Sequence, residues 1–397
     1  MSAPVLICFA GDRWDGNPHS RHHLMRRFAG EFEVLFVEGM PMRGLASVDR
    51  MELRRAWRKL RAGVRIRTPE PHLHVVSVPP IPPAGRLGRV AQLAAVRGQI
   101  VRARRRLGLD GPAISWFSVP VAAPLRSRVG DRGSLFFYQD RYDQFTGVDG
   151  PLLRSLTADL AAHCEVSVAT SAELAADLRR FGAEPLLVGH GVDVLRFAGD
   201  PPAPRDLADL ERPLIGYVGI LDDYLSLATI RAIADELDHG TVVLVGGVNT
   251  DVTVLQHPRI ARLGFRPYAT IPAYLAAFRV CISPFQINEL TRAVNPIKLR
   301  EYLAAGRPAV STPMPAVLEY ADVISLAESP GEFAAAVIRL LDAEHDTEAA
   351  RARRRDRVRA ESWDAVADRI RPSLLRLAGS EASRDGAADP VPLRAPS

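Results

Sequence analysis

Short apolar runs alternate with amphipathic stretches twice over along this chain, and a proline-rich interval separates the two series. The first series contains VLICFAG (5–11), EVLFVEG (33–39), LHVVSVP (73–79), AISWFSV (113–119), SLFFYQD (134–140) and VSVATS (166–171), and closes on EPLLVGHGVD (184–193). Helical spacing fits 20–29, with Ser20 as its expected cap, and then 87–107, 151–163 and 171–181. The second series starts at LIGYVGI (214–220) and continues through TVVLVGG (241–247), IARLGF (260–265), VCISPF (280–285), PAVST (308–312) and DVISLA (322–327). Its helices fall near 226–238, 271–278, 296–305 and 331–342, with a last one near 362–377. Apolar runs this short, set between amphipathic helices, are the signature of βαβ units and parallel sheets buried on both faces.

The expected class is therefore α/β, with two doubly wound halves facing a cleft. We expect an N-terminal domain over 1–193, a linker over 194–213, a second domain over 214–361, a helix over 362–378 crossing back, and a disordered tail over 379–397 rich in Pro, Ala, Asp and Ser. The length of 397 residues agrees with two cores rather than one. Cys8, Cys164 and Cys281 lie far apart within apolar surroundings and share no metal-ligand spacing, which points to reduced thiols in a cytoplasmic protein. The apolar start lacks a basic leader and reads as a first strand, and no apolar run is long enough to cross a bilayer.

The segment NPIKLREYLAAGRP (295–308) carries the clearest chemistry. Of 51 Lys and Arg residues only Lys59 and Lys298 are lysines, and Lys298 sits in the first turn of an expected helix over 296–305. Asn295 is the expected cap, Pro296 suits the first helical position, and Gly306 and Pro308 supply the stop. A cation there opposes the helix dipole by on the order of a few tenths of a kcal/mol. A phosphate bound at the same terminus reverses that sign, because the free N–H groups and the ammonium act on it together. Glu301 lies one turn deeper, where it could accept hydrogen bonds from ribose hydroxyls. The plain alternative is a surface Lys/Glu pair worth about 0.3 kcal/mol. In open parallel sheets ligands bind beyond the carboxyl ends of strands, and both Asn295 and Gly219 fall at such ends.

Together, SPFQINELTRAVNPIKLREYLAAGRPAVST (283–312), GYVGILDD (216–223), ATSAELAADLRRFGAEPLLVGHGVDVLRF (169–197) and LGFRPYATIPAYLAAF (263–278) resemble the GT-B glycosyltransferases of the large retaining group. Within it the chain is most similar to bacterial teichuronic-acid and exopolysaccharide enzymes, through Trp14, Asn17, Pro18, Arg21 and His23 and through FFYQDRYDQF (136–145). The resemblance implies that Lys298 binds the diphosphate and Glu301 the ribose of a nucleotide-sugar, with Gly219 facing the phosphates and Phe265, Arg266 and the backbone to Tyr268 flanking the base. It implies that the loop with Asn288, Glu289, Thr291 and Asn295 faces the donor sugar, and that Gly11, Asp12, Trp14, His19, Asp140 and Asp143 line the acceptor side. Two departures stand out. Many relatives carry a second glutamate where this chain has Ala293, and the usual asparagine of the NGVD turn is His190.

Such a site needs no metal and no further cofactor, since a helix terminus, Lys298 and an arginine (Arg292 or Arg300) can neutralise the leaving diphosphate. The resemblance implies retention of configuration. An inverting enzyme would instead need a general base, for which Asp143, Asp12 and His19 are the catalytic candidates. The expected function is transfer of a sugar from a nucleotide-diphosphate donor to a glycan or lipid-linked acceptor in cell-surface polysaccharide synthesis. Glycosylation of a small secondary metabolite and a non-catalytic nucleotide-sugar-binding scaffold are the alternatives.

Charge adds a second expectation. Residues 1–110 hold 20 Arg and Lys against 9 Asp and Glu, whereas the whole chain is only +5. Arg50–Arg67 contains eight cations and one glutamate, with Leu53, Trp57, Leu60 and Val64 at helical spacing, and RGQIVRARRR (97–106) follows. This suits peripheral docking on the anionic inner face of the plasma membrane; a solvated basic face, or a stripe packed on the sheet, is the plainer explanation. No nucleic-acid motif accompanies the charge, and no nucleic-acid partner is expected.

Overall fold

The computed structural model describes residues 3–40, 42, 65–78 and 85–379. The first sheet has eight strands: β1 (Val5–Phe9), β2 (Glu33–Glu38), β3 (Arg65–Glu70), β4 (Leu73–Ser77), β5 (Ala113–Phe117), β6 (Asp131–Tyr138), β7 (Val166–Ala169) and β8 (Leu186–Leu187). Their order is β3-β4-β2-β1-β5-β6-β7-β8, parallel throughout except for β3, which runs antiparallel to β4. The second sheet holds β9 (Leu214–Val218), β10 (Thr241–Val245), β11 (Ile260–Gly264), β12 (Val280–Ser283), β13 (Ala309–Ser311) and β14 (Ser325–Leu326), all parallel, in the order β11-β10-β9-β12-β13-β14. Strand order reverses at β1 in one sheet and at β9 in the other, so the loops after these two strands open onto the crevices where ligands of such folds bind.

Helices cover both faces of the first sheet, which is why its central strands read as unbroken apolar runs. Val96, Ile100 and Ala103 of the helix Gly85–Leu107, with Leu153 and Leu160 of the helix Gly150–His163, pack on one face. Leu24, Met25 and Phe28 of the helix Ser20–Phe28 pack on the other, and beside them lie Trp363, Ile370, Leu374 and Leu377 of the last helix, Trp363–Gly379. That helix follows the second domain in sequence and buries its apolar stripe in the core of the first. A Cβ on Gly133 would lie 2.9 Å from Leu377 Cδ2, so only glycine lets the helix come this close.

Several expectations change. The helix Ser20–Phe28 is capped by His19, with Ser20 its first residue. The expected linker 194–213 contains a short helix, Val194–Phe197, and a 3-10 turn, Arg205–Leu207. Helix Glu348–Val358 went unread because its buried residues are Arg354 and Val358, which leave no apolar stripe. The basic stretch Arg50–Arg67 lies outside the described residues up to position 64; Arg65–Arg67 belong to β3, not to a helix. The tail beyond Gly379 is likewise outside the described residues. Among the described residues no helix is long and apolar enough to cross a membrane, and no group of His, Cys, Asp and Glu could hold a metal ion.

Candidate active site where the two halves meet

Beyond the carboxyl end of β12 the chain forms a short helix, Glu289–Ala293, and then the helix Ile297–Ala304. Pro296 occupies the N-cap of the second helix and no side chain caps it, so its first N–H groups keep their capacity to bind an anion. Lys298 sits in this first turn with its Nζ 2.9 Å from Glu301 Oε2. The lysine is about one-third exposed, whereas the Glu301 side chain is 3% exposed. The Tyr268 ring lies 5.4 Å from Lys298 Nζ on one side and 5.4 Å from the Arg196 guanidinium on another. Burial and the neighbouring Glu301 carboxylate hold the Tyr268 phenol well above its ordinary range, so the hydroxyl stays protonated.

The ends of β9 and β10 meet closely beside this helix. A Cβ at Gly246 would overlap Gly219 O at 1.8 Å, and one at Gly219 would meet the Tyr217 hydroxyl at 2.5 Å. Both positions therefore need glycine for packing, independently of any phosphate. Phe265, just after β11, is 57% exposed, an unusual degree for a phenylalanine and suited to stacking on a planar ring.

The segment between the two short helices is docked on the first domain. Ser171 Oγ donates to Ala293 O at 2.7 Å, Asn295 Nδ2 donates to Thr170 O at 2.7 Å, and Arg141 Nη1 donates to Glu289 O at 2.7 Å. Ala293 is fully buried and its methyl belongs to the core cluster of the first domain. The position where many relatives of this fold carry a glutamate is here an apolar domain contact. Arg300 donates to Asn295 Oδ1 at 2.5 Å and to Glu361 Oε2 at 2.7 Å, so it braces the junction.

On the opposite wall stand the loop after β1 and the end of β6. Arg21 holds Asp12 through both Nε, at 2.6 Å, and Nη2, and His19 Nε2 lies 3.8 Å from the same carboxylate. Arg21 and His19 keep Asp12 below the usual carboxylate range although burial opposes them. Burial lowers the pKa of His19 against the pull of Asp12, with Arg21 and Lys298 adding to the fall. Asp140 behaves differently: burial raises its pKa to about 7, with Asp12 adding to the rise and Arg21 opposing it. Beneath this wall Glu38, at the end of β2, accepts from the Trp14 N–H at 2.8 Å, Ser77 Oγ at 2.5 Å and Arg67 Nη2 at 3.0 Å, and so fixes the loop from behind.

The structure redistributes several predicted roles. Lys298 and Glu301 share one helix turn beside Tyr268 in the second domain, where Gly219 follows β9 and Phe265 follows β11; Asp12 and His19 meet in the loop after β1 of the first domain, and Asp140 follows β6. Trp14 does not line the site: it is 5% exposed, packed edge-on against Phe36 at 5.0 Å with Arg26 over its ring. Arg266 is committed to Asp206 and Tyr274. Asn288 and Thr291 form a capping box for the helix Glu289–Ala293, with Thr291 fully buried, and Asn295 is a domain tether rather than a cap. Asp143 accepts from Arg154 and Gln144 at the surface. Arg300 is structural, whereas the Arg292 side chain is exposed and makes no hydrogen bond or ion pair to a described residue.

Residues that sequence reasoning undervalued complete the junction. His190, noted only as a departure from NGVD, is buried with Nδ1 2.8 Å from Ser20 Oγ. His23 stacks on Trp363 at 4.6 Å and meets the edge of Tyr268 at 5.7 Å, joining the first domain, the last helix and the second domain at one point.

Two parallel α/β domains with a returning last helix make this a GT-B fold. Residues 212–343 match the family described as glycosyl transferases group 1. The chain is 28% identical over 194 residues to the putative teichuronic acid biosynthesis glycosyltransferase TuaH of Bacillus subtilis, a match covering 45% of this chain and 48% of that protein. It thus spans about half the length of this curated relative. Among solved structures, it is similar to sucrose-phosphate synthase from Thermosynechococcus elongatus, with a TM-score of 0.69 at 15% identity over 94% of this chain and 99% of that one. It is also similar to Anabaena Alr3699/HepE in complex with UDP and glucose, with a TM-score of 0.67 at 14% identity over 93% and 99% of the two chains.

Proposed function

We propose that the protein is a glycosyltransferase that moves a sugar from a UDP-sugar or similar nucleoside-diphosphate donor to a glycan or lipid-linked acceptor, in cell-surface polysaccharide synthesis. The observation that carries this reading is the Lys298–Glu301 pair at an uncapped helix terminus beyond β12, beside the Tyr268 ring that His23 of the first domain also meets. The group 1 match over 212–343 and the teichuronic-acid relative support the reaction and acceptor class; Alr3699/HepE, solved with UDP-glucose, supports the donor class.

In this reading the diphosphate sits at the first turn of the helix Ile297–Ala304, where Lys298 leaves Glu301 to meet it. Glu301, still held near Tyr268, accepts from the ribose hydroxyls, and Phe265 covers the base. Departure of the diphosphate breaks the anomeric C–O bond. Lys298 and the helix terminus stabilise the charge that develops on the leaving oxygen, with no metal required. The acceptor hydroxyl attacks from the same face, and its proton passes to the leaving phosphate, so configuration is retained. Asp140, near neutrality in its pKa, orients that hydroxyl. Asp12 is tied to Arg21 and is a poorer proton acceptor for that reason, while Asp143 is engaged by Arg154. The basic stretch Arg50–Arg67 is proposed to bring the enzyme to the anionic inner membrane face.

Release of nucleoside diphosphate from a panel of UDP-, GDP- and dTDP-sugars, with lipid-linked and soluble glycans as acceptors, tests the reading. Acceptor-dependent release supports it; donor binding without any turnover would establish a scaffold instead.

A further inference from the structure

Seven arginines and no acidic residue make up the charge of the helix Gly85–Leu107. Its buried side carries Val96, Ile100 and Ala103 into the core. At 100° per residue these occupy one arc, and the exposed residues Val90, Arg97, Val101, Arg102, Arg105 and Arg106 fill the opposite one. Val90 is 60% exposed and Val101 40%. Among the described arginines of the helix, Arg104 turns inward, donating to the carbonyls of Leu109, Val129 and Gly111. Arg97 donates to Arg128 O at 2.8 Å, which sets the exposed Arg128 beside the same face. None of Arg97, Arg102, Arg105, Arg106 and Arg128 forms an ion pair with a described residue.

A core-packing role accounts for the buried arc and leaves the other unexplained. Solvated helix faces ordinarily mix both signs of charge, and one that presents Arg97, Arg102, Arg105 and Arg106 with no carboxylate partner among the described residues, around two exposed valines and beside Arg128, is matched to an anionic, partly apolar partner. We propose that this face, distinct from Arg50–Arg67, docks on an anionic lipid bilayer, with the arginines at the phosphate level and Val90 and Val101 entering the interface. Duplex nucleic acid fits less well, since exposed valines gain nothing there and the arc presents no aromatic side chain for single-strand stacking. The helix follows β4 and therefore starts at the sheet end that bears Gly11 and Asp140. Its arginine-rich end lies at the opposite end of the sheet, where Arg104 meets Gly111 O and Val129 O ahead of β5 and β6, so a bilayer there lies away from the acceptor wall. The proposal deepens the membrane reading above with separate residues, and it does not depend on the donor chemistry.

The test is co-sedimentation of the full-length protein, without donor, with vesicles of phosphatidylglycerol and phosphatidylcholine or of phosphatidylcholine alone. Four proteins are compared: wild type, R102Q/R105Q/R106Q, V101D, and a variant with Arg54, Arg55, Arg58 and Lys59 changed to Glu. Each arginine contributes about fivefold to partitioning, so the triple variant is expected to bind anionic vesicles about a hundredfold more weakly, V101D also more weakly, and no protein to bind neutral vesicles. Unchanged UDP affinity and circular dichroism in the triple variant exclude misfolding. Wild-type affinity of the triple variant for anionic vesicles overturns the proposal; if the Arg54–Lys59 variant alone loses binding, the membrane reading stands and this face is not its contact. Binding to duplex DNA with none to vesicles overturns both membrane readings and leaves the donor site untouched.

Discussion

Lys298 Nζ and Glu301 Oε2 lie 2.9 Å apart, one turn along the same helix and at the end of β12 where the two domains meet. The pair explains how a carboxylate is tolerated at this depth, since a buried charge without a partner costs several kcal/mol. In the proposed donor complex a diphosphate draws the ammonium outward, and ribose hydroxyls take its place on Glu301.

His190 gives the first prediction. Its pKa is pushed down to about 3, first by burial and then by Arg300 and His19, and those of His22 and His23 fall to about 4 and about 3, again chiefly through burial. Between the ordinary histidine pKa of 6.5 and these values the unfolded chain binds protons that the folded one refuses. The contribution of these histidines is therefore full above about pH 6.5 and falls as pH is lowered toward 4, by at most about 1.4 kcal/mol per pH unit for each. Urea denaturation at pH 7, 6 and 5 should show this decline, and His190→Asn should make it shallower.

Asp140 has the opposite sign. With its pKa raised to about 7, its charged form is disfavoured in the fold, so stability present at low pH is lost as pH rises through 7. Asp140→Asn should raise Tm at pH 8, by roughly 2–4 °C for each kcal/mol relieved. The same change should cut the rate of sugar transfer by roughly tenfold to a hundredfold. It should also remove the limb near pH 7 from the pH profile of kcat/KM, measured with saturating donor.

The missing glutamate gives a third prediction. Because the Ala293 methyl is buried in the first domain and its carbonyl accepts from Ser171, Ala293→Glu forces a carboxylate into an apolar contact. The expected cost is about 3–5 kcal/mol, seen as a lower Tm, with weaker rather than stronger donor binding. A variant as stable as wild type that binds the donor more tightly would show that this loop can turn back toward the sugar.

Much of the fold was legible because parallel strands buried on both faces leave continuous apolar runs: β1, β2, β5, β9, β10 and β12 all read correctly from such runs. Helix Glu348–Val358 did not, since arginines take five of its eleven positions and long-range contacts such as Arg354 Nη1 with Gly306 O help hold it in place. At the candidate site, the place of Lys298 in a first helical turn, with Glu301 one turn on, was legible because the start and stop signals around them are local. Asn295 looked like a cap because a cap and a domain tether use the same amide chemistry, and only the position of Thr170 separates them. Trp14 and Thr291 misled for a related reason. Their residue types suit a ligand site, but Glu38 in one case and Asn288 in the other claim them through contacts that depend on the folded chain. The His23–Trp363 stack joins residues 340 positions apart in sequence and left no local signal.

Calorimetric titration of UDP into wild type, Lys298→Ala and Glu301→Ala tests the central claim most directly. Each lost contact is a charge-assisted hydrogen bond worth about 1.5–3 kcal/mol. The account therefore predicts roughly tenfold to a hundredfold weaker affinity in each variant, with circular dichroism unchanged. Wild-type UDP affinity in both folded variants would contradict it.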